Sequence, residues 1–152
     1  MNARSSLRIS LVFVAAAALA ACGGSSSSAL PPGYYIIVAD MAFPTATLEA
    51  PAGATITVVN QSSMGHTVAQ EAARDGFTLG APAGTTPFDT GLFAAGTRTF
   101  SLPTGLADGT VLYYYCRTHT SLMVPSTGTI TIRASAQPVT GPPGGGYGPY
   151  GP

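Results

Sequence analysis

The stretch YYYCRTHTSLM, residues 113–123, decides how the rest of the chain is interpreted. Its three tyrosines are typical of a β-strand, and the strand is followed by a thiol, an imidazole and a thioether at Cys116, His119 and Met123. A further strand is predicted to begin near Gly128. A short loop between two strands can turn all three side chains toward one point, so the stretch predicts a ligand loop.

The chain has one other histidine, His66, in the segment SSMGHTV (62–68) just after a strand predicted to end at Asn60. Two imidazoles, one thiolate and a weak axial thioether form the set that suits a blue copper ion. Met64 lies close to His66 and competes with Met123 for the axial position. Methionine also serves as core filler, so the residues alone leave the axial ligand open.

The rest of the chain has the pattern of an all-β protein. It contains 19 glycines and 13 prolines, spread between short apolar or alternating runs, which is typical of strands joined by turns. Five strands are predicted, with further edge strands expected to complete a sandwich: Tyr34–Ala39, Ala54–Asn60, Thr97–Leu102, Val111–Cys116 and Thr129–Arg133. Residues 71–93 show no firm periodicity and are predicted to be irregular, with room for one short helical turn.

From about Tyr34 to Arg133 the chain resembles the cupredoxins, particularly the plastocyanin, pseudoazurin and amicyanin group. The resemblance rests on LEAPAG (48–53), ITVVN (56–60), His66, FDTG (88–91), the tyrosine-rich ligand loop and GTI (128–130). It implies a Greek-key β-sandwich, a copper site near one end, and electron transfer. The implied ligands are His66, Cys116 and His119, with Met123 as the distant axial ligand.

The resemblance has one departure beside the site and also implies a docking surface. Family members often carry Asn directly after the first histidine, where it pins the two ligand loops together, but this chain has Thr67. In the family the edge of the histidine that corresponds to His119 reaches the surface within an apolar patch. Candidate patch residues here are Met64, Leu122 and Phe93. Tyr115 resembles the surface tyrosine of plastocyanin, a candidate second electron port.

The N-terminal segment predicts export. Arg4 and Arg8 precede an apolar run that is short for a membrane span, so residues 1–21 are interpreted as a signal peptide. LAAC (19–22) resembles the lipobox of bacterial lipoproteins, which implies that Cys22 is lipidated. We therefore expect a protein held by lipid on the periplasmic side of a bacterial membrane, with a mild preference for the outer membrane.

The remaining boundaries follow from composition. Residues 22–33 form a Gly/Ser-rich linker, 34–135 the cupredoxin domain, and 136–152 a Pro/Gly-rich tail predicted to be disordered. The chain has two cysteines, so lipidation of Cys22 leaves Cys116 without an intramolecular partner. A lone thiol in an oxidising compartment favours a functional role such as metal ligation.

Three classes of function can then be compared. The leading hypothesis is a monomeric one-electron carrier with one copper ion and redox proteins as partners. The alternative is a copper-handling protein of the cell envelope without a carrier role, although the chain has no Met-rich tract. Copper enzymes of the family need further histidines for a second copper centre, and two histidines are too few. Zero net charge and the absence of Lys exclude an electrostatic surface for nucleic acid.

Overall fold

The computed structural model describes residues 30–140. Alternation of β-branched and aromatic residues with small polar ones gives these residues seven strands and almost no helix. The strands are β1 (Tyr34–Val38), β2 (Thr47–Ala50), β3 (Thr55–Asn60), β4 (Ala69–Glu71), β5 (Gly96–Ser101), β6 (Val111–Tyr115) and β7 (Thr127–Ile132). One 3-10 turn, Thr120–Leu122, lies between β6 and β7.

The strands form two mixed sheets. One sheet has the order β1-β3-β5 and the other the order β2-β7-β6-β4. The β1/β3 and β2/β7 pairs are parallel, whereas β3/β5, β4/β6 and β6/β7 are antiparallel. From β1 to β6 the chain alternates between the two sheets, and this confirms the all-β sandwich predicted from the sequence.

A single apolar core lies between the sheets. In β3 the buried positions alternate with partly exposed ones, as expected for a strand with one face on the core. β1 is a nearly continuous buried run, as its sequence predicts. The core brings together residues of both sheets and of the ligand loop: Ile36, Val38, Phe43, Ile56, Val58, Leu112, Tyr114, Cys116, Met123, Ile130 and Ile132.

Two strands were not predicted individually. They are β2 and β4, which are four and three residues long and form the two edges of the four-stranded sheet. The interpretation of residues 71–93 as irregular is confirmed, but the helical turn allowed there is absent from this described segment. It is held instead by isolated backbone bridges, Glu71 with Leu79 and Ala69 with Asp89.

The strand registers bring the chain segments that carry the candidate ligands to one end of the sandwich, here called the metal pole. Asn60 at the end of β3 pairs with Gly96 at the start of β5. Tyr115 at the end of β6 pairs with Ala69 at the start of β4 and with Thr127 at the start of β7. The loops that follow Asn60 and Tyr115 therefore leave their sheets at the same pole.

The ends of the described domain lie at the opposite pole. Gly33 and Val139 donate backbone hydrogen bonds to each other's carbonyls, both at 2.9 Å. The predicted tail therefore starts too early: residues from 136 to Val139 belong to the folded domain because they pair with its first strand region.

No helix within residues 30–140 is long and apolar enough to cross a membrane. The predicted signal peptide, Cys22 and residues 141–152 lie outside the described residues.

Candidate metal centre

Cys116 is the first residue after β6 and is fully buried. It enters the core because β6 lies inside its sheet, between β7 and β4, and continues directly into the ligand loop. The backbone N–H groups of His119 and Thr120 donate to the Cys116 carbonyl at 3.3 and 2.7 Å. This tight turn keeps the histidine three residues away on the same side as the thiol.

His66 is held from the other sheet by a buried hydrogen-bond network. Its N–H donates to the Phe93 carbonyl and its carbonyl accepts from the Phe93 N–H, both at 3.0 Å. The Asn60 amide donates to the carbonyls of Met64 and Phe93 at 3.0 and 2.9 Å, and its oxygen accepts from Ser62 N–H at 2.9 Å. These bonds fix the loop that carries His66 to the end of β3.

The three candidate ligands meet in one cluster. Cys116 Sγ lies 3.7 Å from His66 Nδ1 and 3.5 Å from His119 Nδ1, and the two nitrogens are 3.1 Å apart. Metal ions take imidazole nitrogen and thiolate sulfur at about 2.0 to 2.3 Å, so three such donors around one ion lie about 3 to 4 Å apart, depending on the angles between the bonds. The donor spacing and the donor types therefore fit one copper ion.

Burial sets the electrostatics of the site. It lowers the pKa of His66, the neighbouring His119 lowers it further, and Asp40 acts in the opposite direction. The neutral imidazole, which is the form that binds metal, is thereby favoured. Within the described residues His66 Nε2 is buried without a hydrogen-bond partner. The ring is consequently oriented by packing and by its loop, with Nδ1 toward the other donors.

The contact that pins the two ligand loops together is made by Thr67. Its backbone N–H donates to Cys116 Sγ at 3.4 Å, and its hydroxyl oxygen accepts from Arg117 N–H at 2.7 Å. The side chain is buried, with 2% of the residue exposed. The two ligand loops are thus pinned together without the Asn found in many family members.

Burial separates the two candidate thioethers. Met123 is 2% exposed and belongs to the same core cluster as Cys116, whereas Met64 is 39% exposed. The 3-10 turn that begins after His119 returns the chain to the core at Met123, and Leu122 N–H donates to the His119 carbonyl at 2.7 Å. Met123 therefore remains the candidate axial ligand.

The predicted surface patch needs one correction. Met64 and Leu122 are exposed as expected, with Leu122 at 66%. Phe93 is not, because its backbone pairs with His66 and the Arg98 guanidinium lies 5.6 Å from its ring centre. Sequence reasoning missed Leu92, which is 65% exposed. Its position beside Phe93 in an apolar run was the available signal.

The expectation that Tyr115 lies at the surface is wrong. Tyr115 is only 3% exposed, and its ring is 6.2 Å from that of Phe77. The irregular segment after β4 folds over this part of the sheet, held by Phe77 N–H donating to the Glu71 carboxylate at 2.6 Å. Burial accordingly raises the pKa of Tyr115. A tyrosine port open to partners is therefore absent at this position.

An ion pair lies beside the ligand loop. Arg117, directly after Cys116, pairs with Asp89 at 2.8 Å. Asp89 also accepts a hydrogen bond from Gly91 N–H at 2.9 Å. The Arg117 and Asp89 charges beside the ligand loop are therefore paired with each other.

Similarity to known proteins is found at the level of a protein family. The family model described as copper binding proteins, plastocyanin/azurin family, matches residues 36–133, more than half of the chain. No curated protein matches the chain in sequence.

Several solved structures are similar. Amicyanin from Paracoccus versutus (Thiobacillus versutus) is 19% identical, with a TM-score of 0.47 over 66% of this chain and 81% of that one. A reduced Cu(I) form of an amicyanin variant is 19% identical, with a TM-score of 0.48 over 72% and 95%. A purple cupredoxin from Nitrosopumilus maritimus is 19% identical, with a TM-score of 0.44 over 65% and 98%.

Proposed function

This chain belongs to the plastocyanin/azurin family of copper-binding proteins, and from that premise we propose that it is a blue copper protein that carries single electrons. The observation that carries the proposal is the cluster of His66, Cys116 and His119, whose donor atoms all lie within 4.8 Å of one another. Copper bound there would supply a one-electron couple between Cu(I) and Cu(II). The residues supply the ligands and a fixed frame around them.

Rigidity of the ligand frame supports the carrier role. Each ligand loop is tied to a strand end or to the other loop, through Asn60, Phe93 and Thr67. A frame that is already formed before the ion binds changes little when the ion changes charge, and this lowers the reorganisation that electron transfer requires. Because two of the three donors belong to fully buried residues, water is also kept from the thiolate.

A direct test of the carrier role is cyclic voltammetry of the copper-loaded domain. A carrier is expected to give a reversible one-electron wave and fast electron self-exchange between its Cu(I) and Cu(II) forms. A copper-handling protein is expected instead to pass its copper to a chelator or partner on a similar timescale. An irreversible wave together with rapid copper loss would favour that alternative.

The same reasoning argues against an enzyme acting alone. Both histidines of the chain belong to the one cluster, so residues 30–140 have no imidazole left for a second copper centre. His66 and Cys116 are completely covered, which leaves no open coordination position for a substrate at these ligands. Steady-state assays for oxidase and nitrite reductase activity are expected to give no turnover.

The membrane-tethered state is part of the proposal. Cys22 is expected to carry lipid on the periplasmic side of a bacterial membrane, and the Gly/Ser-rich residues after it are expected to act as a linker to the folded domain. The entry of the chain at Gly33, at the pole opposite the ligands, supports this arrangement because the anchor would not cover the site. Replacing Cys22→Ser should move the protein from the membrane fraction to the soluble fraction. Wild-type protein that is soluble, with Cys22 unmodified, would contradict the anchor.

The partner is proposed to be a redox protein that docks at the metal pole. Leu122, Leu92, Met64 and Val124 are exposed apolar residues near the ligands in sequence, and His119 is only partly buried. A small apolar surface suits transient complexes, which lie at the low end of interface size. We expect the protein itself to be a monomer, which sedimentation at working concentration would test.

A further inference from the structure

Thr67 contacts the thiol through its side chain as well as its backbone. Besides the backbone N–H at 3.4 Å, the hydroxyl oxygen lies 3.8 Å from Cys116 Sγ, within hydrogen-bonding range for sulfur. The same oxygen accepts from Arg117 N–H at 2.7 Å. Thr67 is 2% exposed and Cys116 is fully buried, so bulk water does not compete for these groups.

The donors and acceptors around the Thr67 hydroxyl determine where its hydrogen points. A threonine hydroxyl has one hydrogen to donate and two lone pairs that accept. Since Arg117 N–H already occupies one lone pair, the oxygen acts there as the acceptor and its own hydrogen stays available. A thiolate can only accept. The hydroxyl hydrogen is therefore directed to Sγ when Cys116 is deprotonated.

We propose that the Thr67 hydroxyl is a second hydrogen-bond donor to the Cys116 thiolate, beside the Thr67 N–H, and that it raises the reduction potential of the copper site. The inference rests on the proposed function, because a potential exists only if copper binds at Cys116. Hydrogen bonding around the cysteine sulfur is one of the factors that set the potential of such sites. Each donated hydrogen bond withdraws electron density from sulfur and so stabilises copper(II) less.

Thr67 can accept one hydrogen bond and donate another because its side chain carries a hydroxyl group. An Asn side chain could pin the loops, but it would present an amide in place of a hydroxyl. Threonine accepts from one ligand loop and donates to the sulfur with a single atom. The substitution seen in this chain is thus a change in sulfur hydrogen bonding as well as a different brace.

Two matched variants separate the hydroxyl from the rest of the side chain. Thr67→Val keeps the shape and removes the hydroxyl, whereas Thr67→Ser keeps the hydroxyl and removes the methyl group. For the copper-loaded proteins we expect the Val variant to show a lower potential and a displaced thiolate-to-copper band, with the Ser variant close to wild type. A Val variant with wild-type potential and band would overturn the proposal. If the potential and band of the Ser variant shift as far as those of the Val variant, the proposal is also overturned, because loss of the hydroxyl would then not be the cause of the shift.

A second measurement uses the wild type loaded with Cu(I), which is diamagnetic and would hold Cys116 as a thiolate, so its main result does not depend on a variant. In NMR spectra of this form, the Thr67 hydroxyl proton is expected to exchange slowly with water and to show a through-space contact with the Cys116 side chain. The Arg117 amide should be protected as well, and should lose protection in Thr67→Val but not in Thr67→Ser. A rapidly exchanging hydroxyl proton would contradict the bond. Failure of the proposed function is recognised separately, as a wild type without a blue band.

Discussion

The Nδ1 atoms of His66 and His119 lie 3.1 Å apart, although the residues are separated by 53 positions in the chain. Two imidazoles at this distance cannot both be protonated without repulsion. The fold places the two nitrogens at a separation that two donors to a single metal ion also require.

The first prediction concerns the stability of the copper-free protein at mildly acidic pH. Burial and the nearby His119 lower the pKa of His66 in the folded state below the ordinary histidine value of about 6.5. The unfolded chain then binds the proton more readily, so the free energy of unfolding should fall as the pH drops below about 6.5 and level off below the folded-state pKa. Urea unfolding of the copper-free protein across this range measures the slope.

His66→Gln is the matched control, since it removes the titrating ring but keeps a polar side chain. Its free energy of unfolding should depend less on pH in the same interval. If the variant and the wild type have the same slope, the loss of stability does not come from His66.

The second prediction concerns Met123, the axial candidate. A long thioether bond contributes little to holding copper, so copper should stay bound and coloured when Met123 is replaced. The axial ligand sets the potential: Met123→Leu withdraws a donor from copper(II) and should raise it, while Met123→Gln should lower it. Potentiometric titration of both variants gives the shifts.

Met64→Leu serves as the control for this prediction. Because Met64 is 39% exposed and Met123 only 2%, the Met64 variant should keep the wild-type potential. A shift in Met64→Leu, with none in either Met123 variant, would show that the axial ligand has been misassigned.

The ligand set was predictable from the sequence for a chemical reason. The chain has only two histidines, and Cys116 is its one cysteine besides Cys22, the expected lipidation site. Strand-loop-strand spacing brings three of the four proposed ligands together. Few other arrangements could make use of these residues. The structure confirms that His66, Cys116 and His119 converge.

The burial of Tyr115 and Phe93 was not predictable from the sequence, because it depends on contacts with segments that are distant in sequence. Tyr115 alternates correctly along β6, but Phe77 from the irregular segment covers it. The same segment explains why β4 escaped prediction. Gln70 and Glu71 are buried although polar, since their side chains accept hydrogen bonds from Phe88 N–H and Phe77 N–H.

The third prediction concerns Gly128, which lies opposite Tyr114 in the β6/β7 pair. A Cβ at Gly128 would overlap the Tyr114 ring, and that ring is fully buried with its hydroxyl donating to the Thr45 carbonyl at 3.1 Å. Gly128→Ala should therefore lower the free energy of unfolding by about 1–3 kcal/mol, the usual cost of overpacking. Chemical denaturation measures the loss.

A double variant distinguishes ring overlap from a backbone effect of alanine. In a Tyr114→Ala background, itself less stable because a large buried ring is lost, Gly128→Ala should cost little more. Residues in contact are expected to be non-additive in this way. Additive losses would mean that the Tyr114 ring is not what requires glycine.

The fourth prediction concerns electron self-exchange and salt. Two arginines lie in the predicted leader, which leaves four against six carboxylates, and Arg117 near the site is paired with Asp89. The rate should therefore change only mildly as rising salt shortens the Debye length from about 30 Å to about 8 Å. NMR line broadening in mixtures of the Cu(I) and Cu(II) forms gives the rate.

Leu122→Asp tests whether the metal pole is the contact surface. Leu122 is 66% exposed, and a carboxylate there should slow self-exchange and make it rise with salt, because two like charges would meet. Val111→Asp is the control, since Val111 is 42% exposed at the start of β6, the pole away from the ligands. Equal slowing by both variants would contradict docking at the metal pole.

Visible and EPR spectra of the copper(II)-loaded domain show whether His66, Cys116 and His119 hold a blue copper ion. We expect one copper per chain, an intense thiolate-to-copper charge-transfer band and a narrow copper hyperfine splitting. Cys116→Ser should abolish the band even where some copper still binds, because the band originates on sulfur. A colourless one-to-one complex with a wide hyperfine splitting, or colour that survives in Cys116→Ser, would show that these residues do not form a blue copper site.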